Sequence, residues 1–293
     1  MKAVLGTVIY KQAEVFLKDL LTSVDNQQDK DFDLLITNDN YTDEDLASLE
    51  IVGTTPSSTK ADEPNQTLVH LNGKVNFLNL RSMGCTIAQT RIEMIKKAKE
   101  LGYDLLVVAD ADDTFVPTRI EAFKEAYQLD KSYAFYYNRL VTEDGKTVLE
   151  NMPKTVDSAR LISQSNFIGM GTTAINLRML TDDFISTLSE GDCPVFDWYF
   201  FTRILMDIGP GKLVEYADTI YRIHDNNQVG TSHNVEQEYQ VKLTHYKNLA
   251  KRYPYFEHLY QDLQKLDIDS IDTSHDRNGY WWSNILMEDS YEI

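Results

Sequence analysis

The sequence predicts an α/β fold: a mostly parallel central sheet followed by a helical extension at the C-terminus. Three observations lead there. From Ala3 to Ala109, apolar runs of strand length alternate with stretches of helical period, the rhythm of parallel strands joined by crossover helices. The run Asp104-Leu105-Leu106-Val107-Val108-Ala109 stops abruptly at Asp110-Ala111-Asp112-Asp113, as a buried strand does when it delivers polar groups to a sheet edge. Beyond His233 the strand signals cease and two helical stretches follow.

Taken in order, Ala3 to Tyr10 is a buried strand, and Ala13 to Val24 is a helix with Val15, Phe16, Leu20, Leu21 and Val24 on one face. Phe32 to Thr37 is the second strand. Thr42 and Asp45 then have nearly the spacing of a capping box for a short helix. Gly53 to Gln66, rich in Ser, Thr and Pro, is an exposed loop rather than a linker, because strand and helix alternate again after it. Val75 to Leu80 is the third strand, Ile87 to Leu101 a helix and Asp104 to Ala109 the fourth strand. Tyr133 to Val141 and Lys146 to Leu149 form a hairpin around Asp144-Gly145. Thr172 to Asn176 is a strand and Met179 to Leu188 a helix. An aromatic helix from Asp197 to Asp207 stops at Gly209-Pro210-Gly211, and Ala217 to Ile223 is a last strand. Val235 to Lys251 and Phe256 to Leu266 are the C-terminal helices; the tail with Tyr280-Trp281-Trp282 has no period.

Composition narrows the function. A chain of 293 residues buries a large core as one domain, or as one domain plus an appendage. Its net charge of −18 argues against nucleic acid and against attraction to anionic lipid, leaving membrane contact at most peripheral. An anionic substrate would need a metal ion or local Arg and Lys. Cys85 and Cys193 have no pairing or zinc-site pattern, which fits a reducing compartment. There is no signal-peptide pattern and no apolar run of membrane-spanning length, so the expectation is a cytoplasmic protein.

The acidic cluster carries the chemistry. Clustered carboxylates at the C-terminal edge of a parallel sheet suit Mg²⁺ or Mn²⁺ together with substrate phosphates. A bare D-x-D is common by chance, and an acidic turn before the helix near Pro117 is its plain alternative. Other segments give it context. Phe32-Asp33-Leu34-Leu35-Ile36-Thr37-Asn38-Asp39, Met83-Gly84-Cys85-Thr86-Ile87-Ala88-Gln89-Thr90-Arg91, Asp110-Ala111-Asp112-Asp113 with Pro117, Phe196-Asp197-Trp198, and Tyr221-Arg222-Ile223-His224 occur in that order. Together they resemble the family 2 glycosyltransferases, inverting enzymes of the GT-A nucleotide-sugar fold. The resemblance covers residues 1 to 230 as a GT-A domain and leaves residues 231 to 293 as a C-terminal helical extension. It departs at Asn38-Asp39-Asn40-Tyr41, where the family more usually has Asp-Asp-Gly-Ser, and at Phe196, where it has Glu.

The resemblance implies roles. Asp197 is the catalytic base. Thr7, Tyr10, Asp39, Arg91, Asp110, Ala111, Asp112 and Arg222 bind a nucleoside diphosphate-sugar donor, and Asp112 and His224 hold the metal. Asp113 positions its neighbours. The acceptor would be a glycan or lipid-linked hydroxyl, with a place in surface polysaccharide synthesis. Each assignment has a plainer counterpart: helix capping for Asp197, a structural role for His224, surface ion pairs for Arg91 and Arg222, core packing for Tyr10. Gly169 and Gly171 either admit the sugar or make a tight turn, and Trp198, Tyr199, Trp281 and Trp282 either stack on sugar or pack the core. Two rival functions stay open. A sugar-phosphate nucleotidyltransferase would show a Gly-rich basic loop after the first strand, which Thr7-Val8-Ile9-Tyr10-Lys11-Gln12-Ala13-Glu14 lacks. A non-catalytic GT-A-fold binder of glycan or protein is the other, favoured by the missing Glu at Phe196. The C-terminal helices have three candidate uses: covering the acceptor groove, pairing subunits in a homo-oligomer, or touching a membrane.

Overall fold

The computed structural model describes residues 1–47, 51–52, 69–70, 73–80, 84–189, 193–222, 234–271 and 279–293. The expected loop Gly53 to Gln66, Met83, and the segment from Ile223 through His224 lie outside the described residues. The described chain forms β1 (Ala3–Ile9), α1 (Glu14–Asp25), β2 (Asp33–Asn38), α2 (Asp43–Ala47), β3 (Ile51–Val52), β4 (Val69–His70), β5 (Val75–Asn79), α3 (Ile87–Glu100) and β6 (Leu105–Ala109). It continues through β7 (Thr114–Phe115), α4 (Arg119–Leu129), β8 (Phe135–Tyr137), β9 (Leu140–Thr142), β10 (Thr155–Val156), β11 (Thr173–Asn176), α5 (Asp182–Ser186) and α6 (Phe196–Asp207). It ends with β12 (Gly211–Leu213), β13 (Thr219–Tyr221), α7 (Val235–Ala250) and α8 (Pro254–Leu263).

One sheet of eight strands runs β10-β12-β8-β11-β6-β1-β2-β5. The pairs β6-β1, β1-β2, β2-β5 and β12-β8 are parallel, so the expected mostly parallel sheet is present, with β11 antiparallel to both its neighbours. Successive side chains of a strand face opposite sides. On β1, Ala3, Leu5 and Ile9 join the core layer with α1 and α4, while Val4 and Val8 join the layer with α3, α6, α7 and α8. β6 divides alike: Leu105, Val107 and Ala109 face one layer, Leu106 and Val108 the other. Both faces are buried, which is why these strands read as continuous apolar runs. At Gly6 a β-carbon would stand 2.7 Å from the Leu106 side chain and 2.9 Å from that of Met94, so glycine leaves room for both side chains to pack here.

Register places the site. Ile9 pairs with Asn38 and Thr7 with Ala109, so Tyr10, Asp39 and Asp110 leave three neighbouring parallel strands at the same edge. A second sheet, β7-β13-β9, stands beside that edge.

Several expected boundaries move, each for a local reason. The Tyr133–Val141 strand divides into β8 in the main sheet and β9 in the small one, because buried Asn138 turns the chain between them. Its amide donates to Ala217 O at 2.6 Å and Thr219 Oγ1 at 3.0 Å. The return arm Lys146–Leu149 keeps the hairpin bonds Thr142 N to Lys146 O and Val148 N to Leu140 O, around Gly145 at φ +81°, but forms no strand of its own. The helix expected from Met179 starts at Asp182, because Thr181 caps it by accepting from Phe184 N. α8 starts at Pro254, since the missing proline N–H costs nothing in a first turn. No helix among the described residues is long and apolar enough to cross a membrane.

Candidate active site

The acidic turn after β6 is the centre of the site. Asp110 and Asp112 are partly exposed and Asp113 is buried. Strand β13 pairs with β7 through Thr219 and Phe115, which brings the next residues of its chain onto the turn. Arg222 N thus donates to Asp113 Oδ1 at 3.1 Å. Burial, with Asp110 and Asp112 adding to it, pushes the Asp113 carboxyl well above the usual carboxylate range.

Three carboxylates in one turn require cations. Arg91, on α3, pairs with Asp110 Oδ1 across the sheet edge. Burial works against its charge, but Asp110, Asp197 and Tyr10 hold its pKa above the ordinary value. Its Nη1 is buried without a hydrogen-bond partner among the described residues. Arg119, at the start of α4, is wholly buried and donates to Val108 O at 2.9 Å and Gly171 O at 2.7 Å. Burial lowers its pKa to about 10 against the pull of Asp110 and Asp113. Sequence reasoning missed Arg119; its signal was the charge of the cluster itself, which a cation at the next helix start offsets.

The other predicted residues stand as follows. Ala111 is buried within the turn. Thr7 is buried and its Oγ1 has no partner among the described residues. The Tyr10 hydroxyl is pushed up to about 12 by burial, then by Asp112 and Asp110, within whose electrostatic reach it lies. Asp39 begins the turn after β2, its N–H donating to Ile9 O at 3.1 Å. Arg222 divides: its backbone meets Asp113, while its guanidinium pairs with Asp19 at 2.8 Å and lies over the Phe16 ring, toward α1. His224 lies outside the described residues.

Asp197 sits in the first turn of α6, within electrostatic reach of Asp110 and Arg91. Val195, not Asp197, is the residue preceding the helix, and the carboxylate accepts from Trp198 N at 2.8 Å. Its pKa is raised to about 6 by burial, offset by the Trp198 N–H; Asp110 adds to the rise and Arg91 opposes it. The helix that carries it is largely buried, with Trp198, Phe200, Phe201 and Ile204 packed in the core beside buried Thr202 and Arg203. Trp198 Nε1 donates to Ile162 O at 2.5 Å, and its ring stacks on His245 of α7. Trp198 and Tyr199 are thus core residues, which fixes Asp197 rigidly.

The segment before β11 closes the far side. A β-carbon on Gly171 would stand 2.1 Å from Asp110 Oδ2, so only glycine lets this backbone meet the acidic turn. Asp110 is therefore held between Arg91 and Gly171.

Among the described residues no group of three or more His, Cys, Asp and Glu side chains forms a metal cage. Mg²⁺ and Mn²⁺ need none where one or two carboxylates share the ion with substrate phosphates. The hard oxygen donors of Asp110, paired with Arg91, and of Asp112 fit that arrangement.

No protein-family model and no curated protein sequence matches the chain. Solved structures match its fold. Residues 1-349 of S. aureus TarS in complex with UDP-GlcNAc superpose with a TM-score of 0.57 at 16% identity, over 90% of this chain and 72% of that one. The same TarS fragment without that ligand gives 0.55 at 16% identity, over 90% and 71%. The mannosyltransferase PcManGT from Pyrobaculum calidifontis, in complex with GDP-Man and Mn²⁺, gives 0.51 at 10% identity, over 90% and 68%. The fold is the GT-A type, a mixed α/β architecture with a mostly parallel central sheet.

Proposed function

We propose that this chain is an inverting glycosyltransferase of the family 2 kind, moving a sugar from a nucleoside diphosphate donor to a hydroxyl of a glycan or lipid-linked acceptor. One observation carries the reading. A carboxylate with a pKa of about 6, Asp197, stands within electrostatic reach of Asp110 and Arg91 at the sheet edge where Tyr10 and Asp39 also end. A base and a cation at one sheet edge are what an in-line displacement of a diphosphate needs. The GT-A fold, found also in TarS bound to UDP-GlcNAc and in a mannosyltransferase bound to GDP-Man, supports a nucleotide-sugar donor.

Asp197 takes the acceptor proton as the hydroxyl oxygen bonds to the anomeric carbon. The bond from that carbon to the diphosphate oxygen breaks, and its electron pair leaves with the diphosphate. Arg91, whose Nη1 has no hydrogen-bond partner among the described residues, steadies the leaving charge that an acidic protein would otherwise repel. Tyr10 and Asp39 border the base and ribose. Burial of Asp197 raises its basicity toward neutral pH, which strengthens it as a proton acceptor. Asp112, with His224 completing the set, would hold Mg²⁺ or Mn²⁺, which supplies charge neutralisation of the diphosphate. Residues 231–293 are proposed as an extension covering the acceptor side.

The test is turnover of UDP- and GDP-sugars by the wild type and by Asp197→Asn, read as nucleoside diphosphate release. Substitution should lower kcat by about 10²–10⁴-fold, the range of a general base, with donor affinity kept. Unchanged turnover would remove Asp197 from the mechanism.

A further inference from the structure

The C-terminal strap, residues 279–293, lies along the segment that closes the site. Trp281 and Asn166 exchange backbone hydrogen bonds of 2.9 and 2.8 Å, so the strap is locked in register beside Asn166–Gly171. Further along, Gln164 and Met287 bond reciprocally at 3.0 and 2.6 Å. Buried Glu238 of α7 accepts from Ile285 N at 2.8 Å and from Asn284 Nδ2 at 2.9 Å. Its buried partner Lys242 donates to Ile285 O. Two consecutive tryptophans must diverge here, and the backbone does it at Trp282, in the left-handed region at φ +62°. A bulky residue in that region is uncommon and is held by its surroundings.

The result is that Trp282 enters the core while Trp281 keeps exposed surface; Trp198 and Trp282 are buried. The six-membered ring of Trp281 abuts Gly169, where a β-carbon would stand 3.4 Å from it. Gly171, against Asp110, lies two residues on, a span of at most ~7 Å. The partly exposed Trp281 ring and the acidic turn therefore flank one short stretch of backbone, Gly169 to Gly171.

We infer that Trp281 is a specificity-determining residue: the platform on which the C–H face of a pyranose entering the site stacks, held in place by the strap and the Glu238–Lys242 pair. This rests on the glycosyltransferase reading. The ring belongs either to the acceptor or to the donor sugar, and the test separates them.

Saturation-transfer NMR on the full chain uses the methyl pyranosides of glucose, galactose and N-acetylglucosamine with UDP and diamagnetic Mg²⁺, and separately UDP-GlcNAc and GDP-Man with Mg²⁺. Wild type should transfer saturation to pyranose C–H protons. Trp281→Ala should weaken this about fivefold, and Trp281→Phe should keep it, while nucleotide base signals stay equal in all three proteins. Signals on the free glycosides identify the acceptor ring, and signals only on the sugar of an intact donor identify the donor ring. Equal pyranose signals in Trp281→Ala, or none in the wild type, would overturn the platform. Absent nucleotide signals in the wild type would overturn the glycosyltransferase reading beneath it.

Discussion

At the scale of the residue, Asp197 is tuned against the stability of its own fold. Its proton is held more tightly in the folded chain than in the unfolded one, because burial raises its pKa to about 6 from 3.8. Above pH 6 the folded state carries a charge it would hold more cheaply as a neutral group. Stability from this residue thus falls as pH rises from 3.8 to about 6 and is level beyond. Asp197→Asn should therefore raise the melting temperature at pH 8 and leave it unchanged at pH 3.5, a gain of up to about 3 kcal/mol before solvent screening. Equal melting temperatures at pH 8 would mean the carboxylate is well solvated. Activity has the opposite sign: kcat/KM should rise through pH 6 as Asp197 ionises and level above it, and a profile flat from pH 5 to 8 would contradict the proposed base. Gly171 makes a separate prediction. Its β-carbon would collide with Asp110 at 2.1 Å, so Gly171→Ala should displace that carboxylate and weaken donor binding at least about tenfold with little loss of fold, measured by calorimetry with UDP and GDP.

At the scale of the element, α7 carries a fully buried ion pair one helical turn long, Glu238–Lys242 at 2.9 Å. A buried pair adds little net stability over apolar packing, but removing one partner leaves the other charge stranded, at about 3–5 kcal/mol. Glu238→Gln should cost that much in urea denaturation at pH 7. Burial already lowers the Lys242 pKa to about 8, so without its carboxylate the amine can empty, and the loss should shrink at pH 9. A loss of less than about 1 kcal/mol at pH 7 would show the pair reaching water. Since Glu238 also receives the amides of Asn284 and Ile285, the same variant should free the strap and raise hydrogen exchange at 280–287. α6 works differently. It is held by Trp198 from both sides, through Ile162 O and the His245 ring, whose own pKa falls to about 3 under burial.

At the scale of the whole molecule, the strands that end at the acidic turn's edge were legible because they are buried on both faces. β1, β2 and β6 announce themselves as apolar runs, and their register alone aligns Tyr10, Asp39 and Asp110. β7, β10 and β12 were not legible: two or three residues long, they exist only because a distant strand pairs with them. The same holds for Arg119 and for the strap, whose roles arise from contacts with Val108, Gly171 and Asn166, remote in sequence. Local patterns thus located the acidic turn and Asp197, while the cations and walls around them follow from packing. The central claim is that these groups form one metal-assisted donor site. Thermal shift with UDP, GDP and their sugars, with and without Mn²⁺, tests it in the wild type and in Asp112→Asn. The account predicts stabilisation by one nucleoside diphosphate that requires Mn²⁺ and is lost in Asp112→Asn; no response to any nucleotide, or a response indifferent to both the metal and Asp112, would contradict it.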